Sequence, residues 1–199
     1  MAKFKELEKE KIREELLKVA YRFFIDKGFK STSLEDITSS VGIAKSSFYI
    51  FFESKEILYM ELLSQEGEQI EKQVWPKVIA AEDIRSAIKI YLNEMALELE
   101  DKILTQRLVY DLEEYKLVSR KLNPDYVGSE HLRSIVPLME FIKSRQESKE
   151  IIDEEPGIIA GVLRSAWLIG SQKGDLQQYN YERIKELLFE AVADRITRF

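Results

Sequence analysis

The sequence predicts an all-α protein. Glycine and proline are scarce, eight and four in 199 residues, so few positions break a helix. Glu, Lys, Leu, Ala and Arg, the good helix formers, are abundant. Apolar residues recur three and four apart, and no run alternates cleanly at period two.

The first helix is predicted over about residues 5–27. Ile12, Leu16, Val19, Ala20, Phe23 and Phe24 form one apolar stripe along it, and Gly28 stands at its C-cap. In KSTSLEDI, Thr32 with Glu35 or Ser33 with Asp36 offers a capping box that opens a second, short helix. Its inner face is Leu34, Ile37 and Val41, and Gly42 ends it. A third helix is predicted over 44–52. Ser54 then caps a longer helix over 55–73, which Pro76 should terminate. Later helices are predicted over 83–99, 101–121, 129–148, 155–173 and 181–197. NPDYVG at 123–128, EEPG at 154–157 and KGDLQQYN at 173–180 are the breaks between them.

Composition excludes several functions. With no cysteine, the chain has no disulfide, thiolate metal site or cysteine nucleophile. His131 is the one histidine, in a segment that reads as the first turn of a helix. No P-loop, Rossmann glycine pattern, G-x-S-x-G or H-E-x-x-H occurs, so an enzyme is not expected. No cofactor or metal is expected either. Asp153, Glu154 and Glu155 read as a capping turn. There is no apolar run of membrane-spanning length, and MAKFKELEKEK has no signal-peptide core, so a cytoplasmic protein is expected. The net charge is −6 and unevenly spread. Residues 1–60 hold eleven Lys/Arg against ten Asp/Glu, and the acidity lies in the remainder.

The stretch VGIAKSSFYIFFESKE, residues 41–56, carries the functional signal. At about 100° per residue, Phe48, Phe51 and Phe52 fall on one side of the third helix. Ser46 and Ile50 point to the opposite side, flanked by Lys45, Ser47 and Tyr49. One face suits a protein core, and the other is small, polar and basic. A short helix, a glycine turn and a second short helix behind a longer first helix make the helix-turn-helix pattern, whose second helix enters a DNA major groove.

Residues 12–58 resemble the DNA-binding domain of the TetR family of bacterial transcription regulators. The resemblance lies in AYRFFIDKGFKSTSLEDI, VGIAKSSFY and FFESKEIL. It covers about a quarter of the chain. It implies that residues 1–54 are a helix-turn-helix domain and that 55–199 are a helical ligand-binding and dimerisation domain. It further implies that Lys45, Ser46, Ser47 and Tyr49 approach the groove, Ser47 and Tyr49 on phosphate. Lys55 at the start of the next helix, and Thr32 or Ser33 at the start of the second, would also bind phosphate. Ser46 stands where the family often has glycine, and Ile50 and Phe51 where it often has His or Tyr. Ile50 either packs on Tyr49 or meets a thymine methyl.

The rest of the chain carries no motif. GIIAGVLRSAWLIG at 157–170 and the stripe Tyr181, Ile184, Leu187, Leu188, Ala191, Val192 and Ile196 suit a four-helix homodimer interface, through helices near 157–173 and 181–197. Trp75, Tyr91, Met95, Arg107, Tyr110, His131, Met139 and Trp167 are candidate pocket residues for a small-molecule effector. The resemblance therefore implies a repressor that a small molecule releases from a near-palindromic double-stranded operator. A helical ligand sensor or adaptor without sequence-specific DNA binding is the competing reading.

Overall fold

The computed structural model describes residues 6–110 and 112–198, and among these every named element is helical. The chain forms two compact units. Residues 1–66 with 103–128 make the first, and residues 67–102 with 129–199 the second.

In the first unit, α1 (Glu6–Ser31) carries Leu16, Val19, Ala20 and Phe24 into the core as its stripe requires. The helix is broken at Gly28 (φ 78°, ψ 164°), a conformation that glycine adopts without steric cost. After this break Phe29 folds back beside Phe24 and Tyr59, with ring centroids 5.1–5.7 Å apart. The second helix, α2 (Leu34–Val41), opens on Ser33: the Asp36 N–H donates to the Ser33 hydroxyl, and the Ser33 N–H donates to the Asp36 carboxylate. Of the two possible capping boxes, Ser33 with Asp36 forms. Gly42, at φ 79°, closes α2 in the left-handed region.

The third helix is shorter than predicted. It covers Lys45–Phe48 (α3), after which the Ile50 N–H bonds to the Ser47 carbonyl and the Phe51 N–H to the Phe48 carbonyl. These tight turns bring Phe52 back to the core, where it stacks on Phe48 at 5.7 Å. The next helix, α4 (Lys55–Ile79), does not stop at Pro76 as predicted. Proline removes one N–H from the ladder, yet the chain continues another turn to Ile79, and the Ala80 N–H bonds to the Pro76 carbonyl. Of the segment predicted as one helix over 101–121, the residues on either side of 111 are helical, α6 (Ile103–Tyr110) and α7 (Leu112–Ser119), both packed on α1. Residue 111 lies outside the described residues.

In the second unit, α5 (Ile84–Asp101) opens on Asp83, whose carboxylate accepts from the Ser86 N–H. α8 (Pro124–Glu147), whose residues up to 128 belong to the first unit, starts five residues before the predicted 129. Proline suits the first helical turn, and the Asn123 side chain accepts from the Asp125 N–H, so only the start of NPDYVG is a break. α9 (Pro156–Trp167) ends earlier than predicted and gives way to 3-10 turns and the one-turn α10 (Lys173–Leu176). α11 (Tyr181–Ile196) packs on α5 and α9. The end of α11 and the residues after it pair with 150–152: the Arg198 N–H bonds to the Glu150 carbonyl and the Ile152 N–H to the Ile196 carbonyl.

Candidate nucleic-acid interface

The reading edge is built from its buried side outward. Phe48 is fully buried and Phe52 nearly so, among Leu16, Phe24, Ile37, Leu58 and Tyr59. A four-residue helix cannot hold itself in water, so these rings hold α3 in place. On the opposite side Lys45, Ser46, Tyr49 and Ile50 are exposed, Tyr49 at 56% and Ile50 at 49%, and Ser47 is half-buried. The Tyr49 ring meets Phe48 edge-on at 5.5 Å, which braces the exposed phenol against the core. Ile50 therefore projects outward, as the helical arithmetic requires.

The cations of this region already have partners within the chain. Lys45 Nζ donates to the Glu35 carboxylate at 2.7 Å. That bond raises the Lys45 pKa and lowers that of Glu35. Lys55 Nζ donates to the carbonyls of Phe29 and Thr32 at 2.8 and 2.6 Å and lies 4.1 Å from the Phe29 ring centre. Burial lowers its pKa. Thr32 is buried, its hydroxyl donating to the carbonyls of Phe23 and Gly28. Ser33 rather than Thr32 thus caps α2 at the surface, and Lys55 anchors α4 to the turn between α1 and α2.

Three polar links tie the later helices of the first unit to this head. Arg107 donates to the carbonyls of Phe24 and Ile25, at 2.5 and 2.7 Å. Tyr59 donates to the Glu114 carboxylate at 2.6 Å, and burial first, then that carboxylate, pushes the Tyr59 pKa far up. Glu66, buried, accepts from the Tyr21 hydroxyl and from both the N–H and the hydroxyl of Thr105. Burial, with Glu66 beside it, raises the Tyr21 pKa to about 12. The sequence showed Glu66 and Glu114 only as helix carboxylates. The burial of Glu66 and the bond from Tyr59 to Glu114 depend on which helices meet, and no local pattern announces them.

The comparisons with known proteins bear on this geometry. Residues 16–62, which span α2, α3 and the aromatic core beneath them, match the family model described as bacterial regulatory proteins, tetR family. That segment is of the TetR family. It is 45% identical over 51 residues to the transcriptional repressor KstR2 of Mycolicibacterium smegmatis, covering 26% of this chain and 25% of that protein. It is 27% identical over 128 residues to the transcriptional regulator QacR of Staphylococcus aureus, covering 61% of this chain and 68% of that one. The first curated relatives are matched over only 17–25% of their own length. A TetR-family regulator from Marinobacter aquaeolei superposes with a TM-score of 0.70 at 17% identity, over 98% of this chain and 100% of that one, so the likeness in fold covers nearly the whole chain.

The candidate pocket residues separate between the units. Arg107 and Tyr110 belong to the first, and Arg107 is engaged by α1. In the second unit Trp75 stacks on Tyr91 at 5.7 Å, and Tyr91 lies beside Trp167. Met95 and Met139 are half-buried on α5 and α8. The side chain of His131 lies outside the described residues. Phe141, which the sequence did not single out, joins Trp75 at 5.6 Å. Among the described residues no helix is long and apolar enough to cross a membrane, and no acidic or histidine cluster is arranged to hold a metal.

Proposed function

We propose that this chain is a homodimeric transcriptional regulator that represses from a near-palindromic operator and is released by a small molecule. The exposed edge Lys45–Ser46–Tyr49–Ile50, held out by the buried Phe48 and Phe52, carries the reading. Its width suits a major groove, and its composition offers phosphate contacts from Ser47, Tyr49 and Lys45 with an apolar contact from Ile50. Residues 1–54 serve as the reading head, and 55–199 provide ligand and dimer functions.

The uncovered apolar residues support the dimer. Ile158, Gly161, Val162 and Ser165 share one exposed face of α9, and Leu187 with Ala191 is exposed on α11. Two such helices per chain suit a four-helix interface. The two heads would then sit about 34–36 Å apart, one turn of DNA, or a multiple of it. α4 contributes residues to both units and is the natural lever between ligand and DNA. Coupling of about 1–3 kcal/mol is typical of such linkage. The name of the relative KstR2, a transcriptional repressor, favours repression as the sign.

Selection of random DNA duplexes on the purified protein at near-physiological salt tests this. Enrichment of a near-palindrome supports the reading. Binding without enrichment that vanishes as salt rises refutes it, since that is phosphate attraction alone. The engagement of Lys45 by Glu35 and of Lys55 by backbone carbonyls favours the competing ligand sensor in that event.

A further inference from the structure

The groove-reading segment is short of positive charge. Residues 33–58 hold two cations, Lys45 and Lys55, against Glu35, Asp36, Glu53 and Glu56. Lys45 is bonded to Glu35, and Lys55 to the carbonyls of Phe29 and Thr32. Binding to duplex DNA is driven by cations that neutralise phosphates and release their counterions, so other cations of the first unit are called for. Among the described residues of that unit, Lys11, Arg22, Lys30 and Arg120 have exposed side chains with no hydrogen bond, ion pair or ring partner. Exposed carboxylates three or four residues on, Glu14, Glu15 and Asp26, offset Lys11 and Arg22 along α1. Lys30 lies just past the break at Gly28. Arg120 follows the end of α7, where the carboxylates of Glu113 and Glu56 are already held by Lys116 and Lys121.

Local packing fixes where Arg120 points. Val118 and Leu122, four residues apart, are buried in the core of the first unit, and the Leu122 N–H bonds to the Ser119 carbonyl. Arg120, midway between them, is turned to solvent. Beside it, Lys121 Nζ lies 3.0 Å from the buried carboxylate of Glu56, the second residue of α4. Burial lowers the Lys55 pKa, and the nearby Lys121 charge lowers it further against the pull of Glu56. Lys55 in turn bonds to the carbonyl of Thr32, next to the Ser33 cap of α2. The end of α7 thus meets the starts of both α2 and α4. In a helix-turn-helix the helix before the reading helix crosses the DNA backbone, and helix N-termini suit phosphate. Arg120 stands at that edge.

We propose that Arg120 binds a backbone phosphate of the operator, a DNA contact supplied from outside the helix-turn-helix. The contact rests on the DNA-binding reading above. A planar guanidinium gives a phosphate two parallel donors, and such a contact positions the protein without choosing bases.

Fluorescence anisotropy of the full chain on the near-palindrome that it selects, between about 50 and 200 mM salt, tests this. Arg120→Gln should weaken binding about tenfold. It should also reduce the slope of log K against log salt by about 0.9 for each protomer bound, with Tm and base preference unchanged. Arg120→Lys keeps the charge and should keep the slope. Lys116→Gln removes an equal charge one turn earlier on α7, where Glu113 already pairs it, and should leave the slope as it is. An unchanged slope in Arg120→Gln overturns the proposal, because the arginine is then idle. An equal fall in Lys116→Gln overturns it as an effect of overall charge, and an altered base preference in Arg120→Gln overturns it as a base contact. Should the wild-type chain select no operator, the DNA-binding reading falls and the contact with it. A selected operator with an unchanged slope in Arg120→Gln removes the contact alone.

Discussion

Replacing Arg107 with methionine distinguishes a structural tie from a ligand contact. Its guanidinium reaches the carbonyls of Phe24 and Ile25, in the last turn of α1 before the break at Gly28. A helix C-terminus carries partial negative charge, so a cation is favoured there beyond the two hydrogen bonds. A hydrogen bond with one charged partner contributes about 1.5–3 kcal/mol net. Both bonds share one side chain, whose ordering is an entropic cost incurred once, and Arg107 keeps part of its surface in water. Methionine retains much of the apolar stem. The loss should therefore be about 3 kcal/mol, within the range for breaking a half-buried charged network. In a chain of this size that lowers Tm by about 6–12 °C. Urea denaturation and thermal melting of the full chain measure it, and Arg107→Lys, which can replace one of the two bonds, should recover about half. A loss under about 1 kcal/mol would refute the structural tie, because a mainly exposed or ligand-facing arginine behaves that way.

Ser33→Ala removes the hydroxyl of the capping box and should cost about 1 kcal/mol in urea denaturation, whereas Thr32→Ser, which keeps the buried hydroxyl, should cost less. Glu35→Gln frees Lys45 and should raise DNA affinity about two- to fivefold in fluorescence anisotropy at low salt. The Glu35 pKa is lowered by its bond from Lys45, so the pair persists above the ordinary carboxylate range and is lost only as pH falls through the lowered value. The gain from Glu35→Gln should accordingly be constant between about pH 6 and 8. Lys55→Met should lower Tm and weaken binding, yet leave the slope of log K against log salt nearly unchanged. A slope smaller by about 0.9 would place Lys55 on a phosphate instead. Ile50→Ala should relax base preference at one T position of the selected operator, and an unchanged preference at every T would remove the methyl contact.

Much of the reading head is legible in the sequence, because its determinants are local. The stripe from Leu16 to Phe24, the glycines at 28 and 42, a cap at Thr32 or Ser33 and the period of Phe48 and Phe52 act within one helix turn or one cap, and short-range sterics and hydrogen bonds decide them. The family resemblance rests on the same short-range features. Pro76 misled for a physical reason. One missing N–H is a modest deficit in a helix already packed along Ile70, Val74 and Val78, and burial outweighs it.

The sequence by itself determined the all-α class, the helix-turn-helix order and the outward set Lys45, Ser46, Tyr49 and Ile50. Tertiary structure alone decided that Arg107 serves α1, that buried Glu66 accepts from Tyr21 and Thr105 and Glu114 from Tyr59, and that Trp75, Tyr91, Phe141 and Trp167 converge. These partners lie 16 to 83 residues apart along the chain. Helical periodicity says which face of a helix is apolar, but the partner that face meets depends on the packing of all the helices at once.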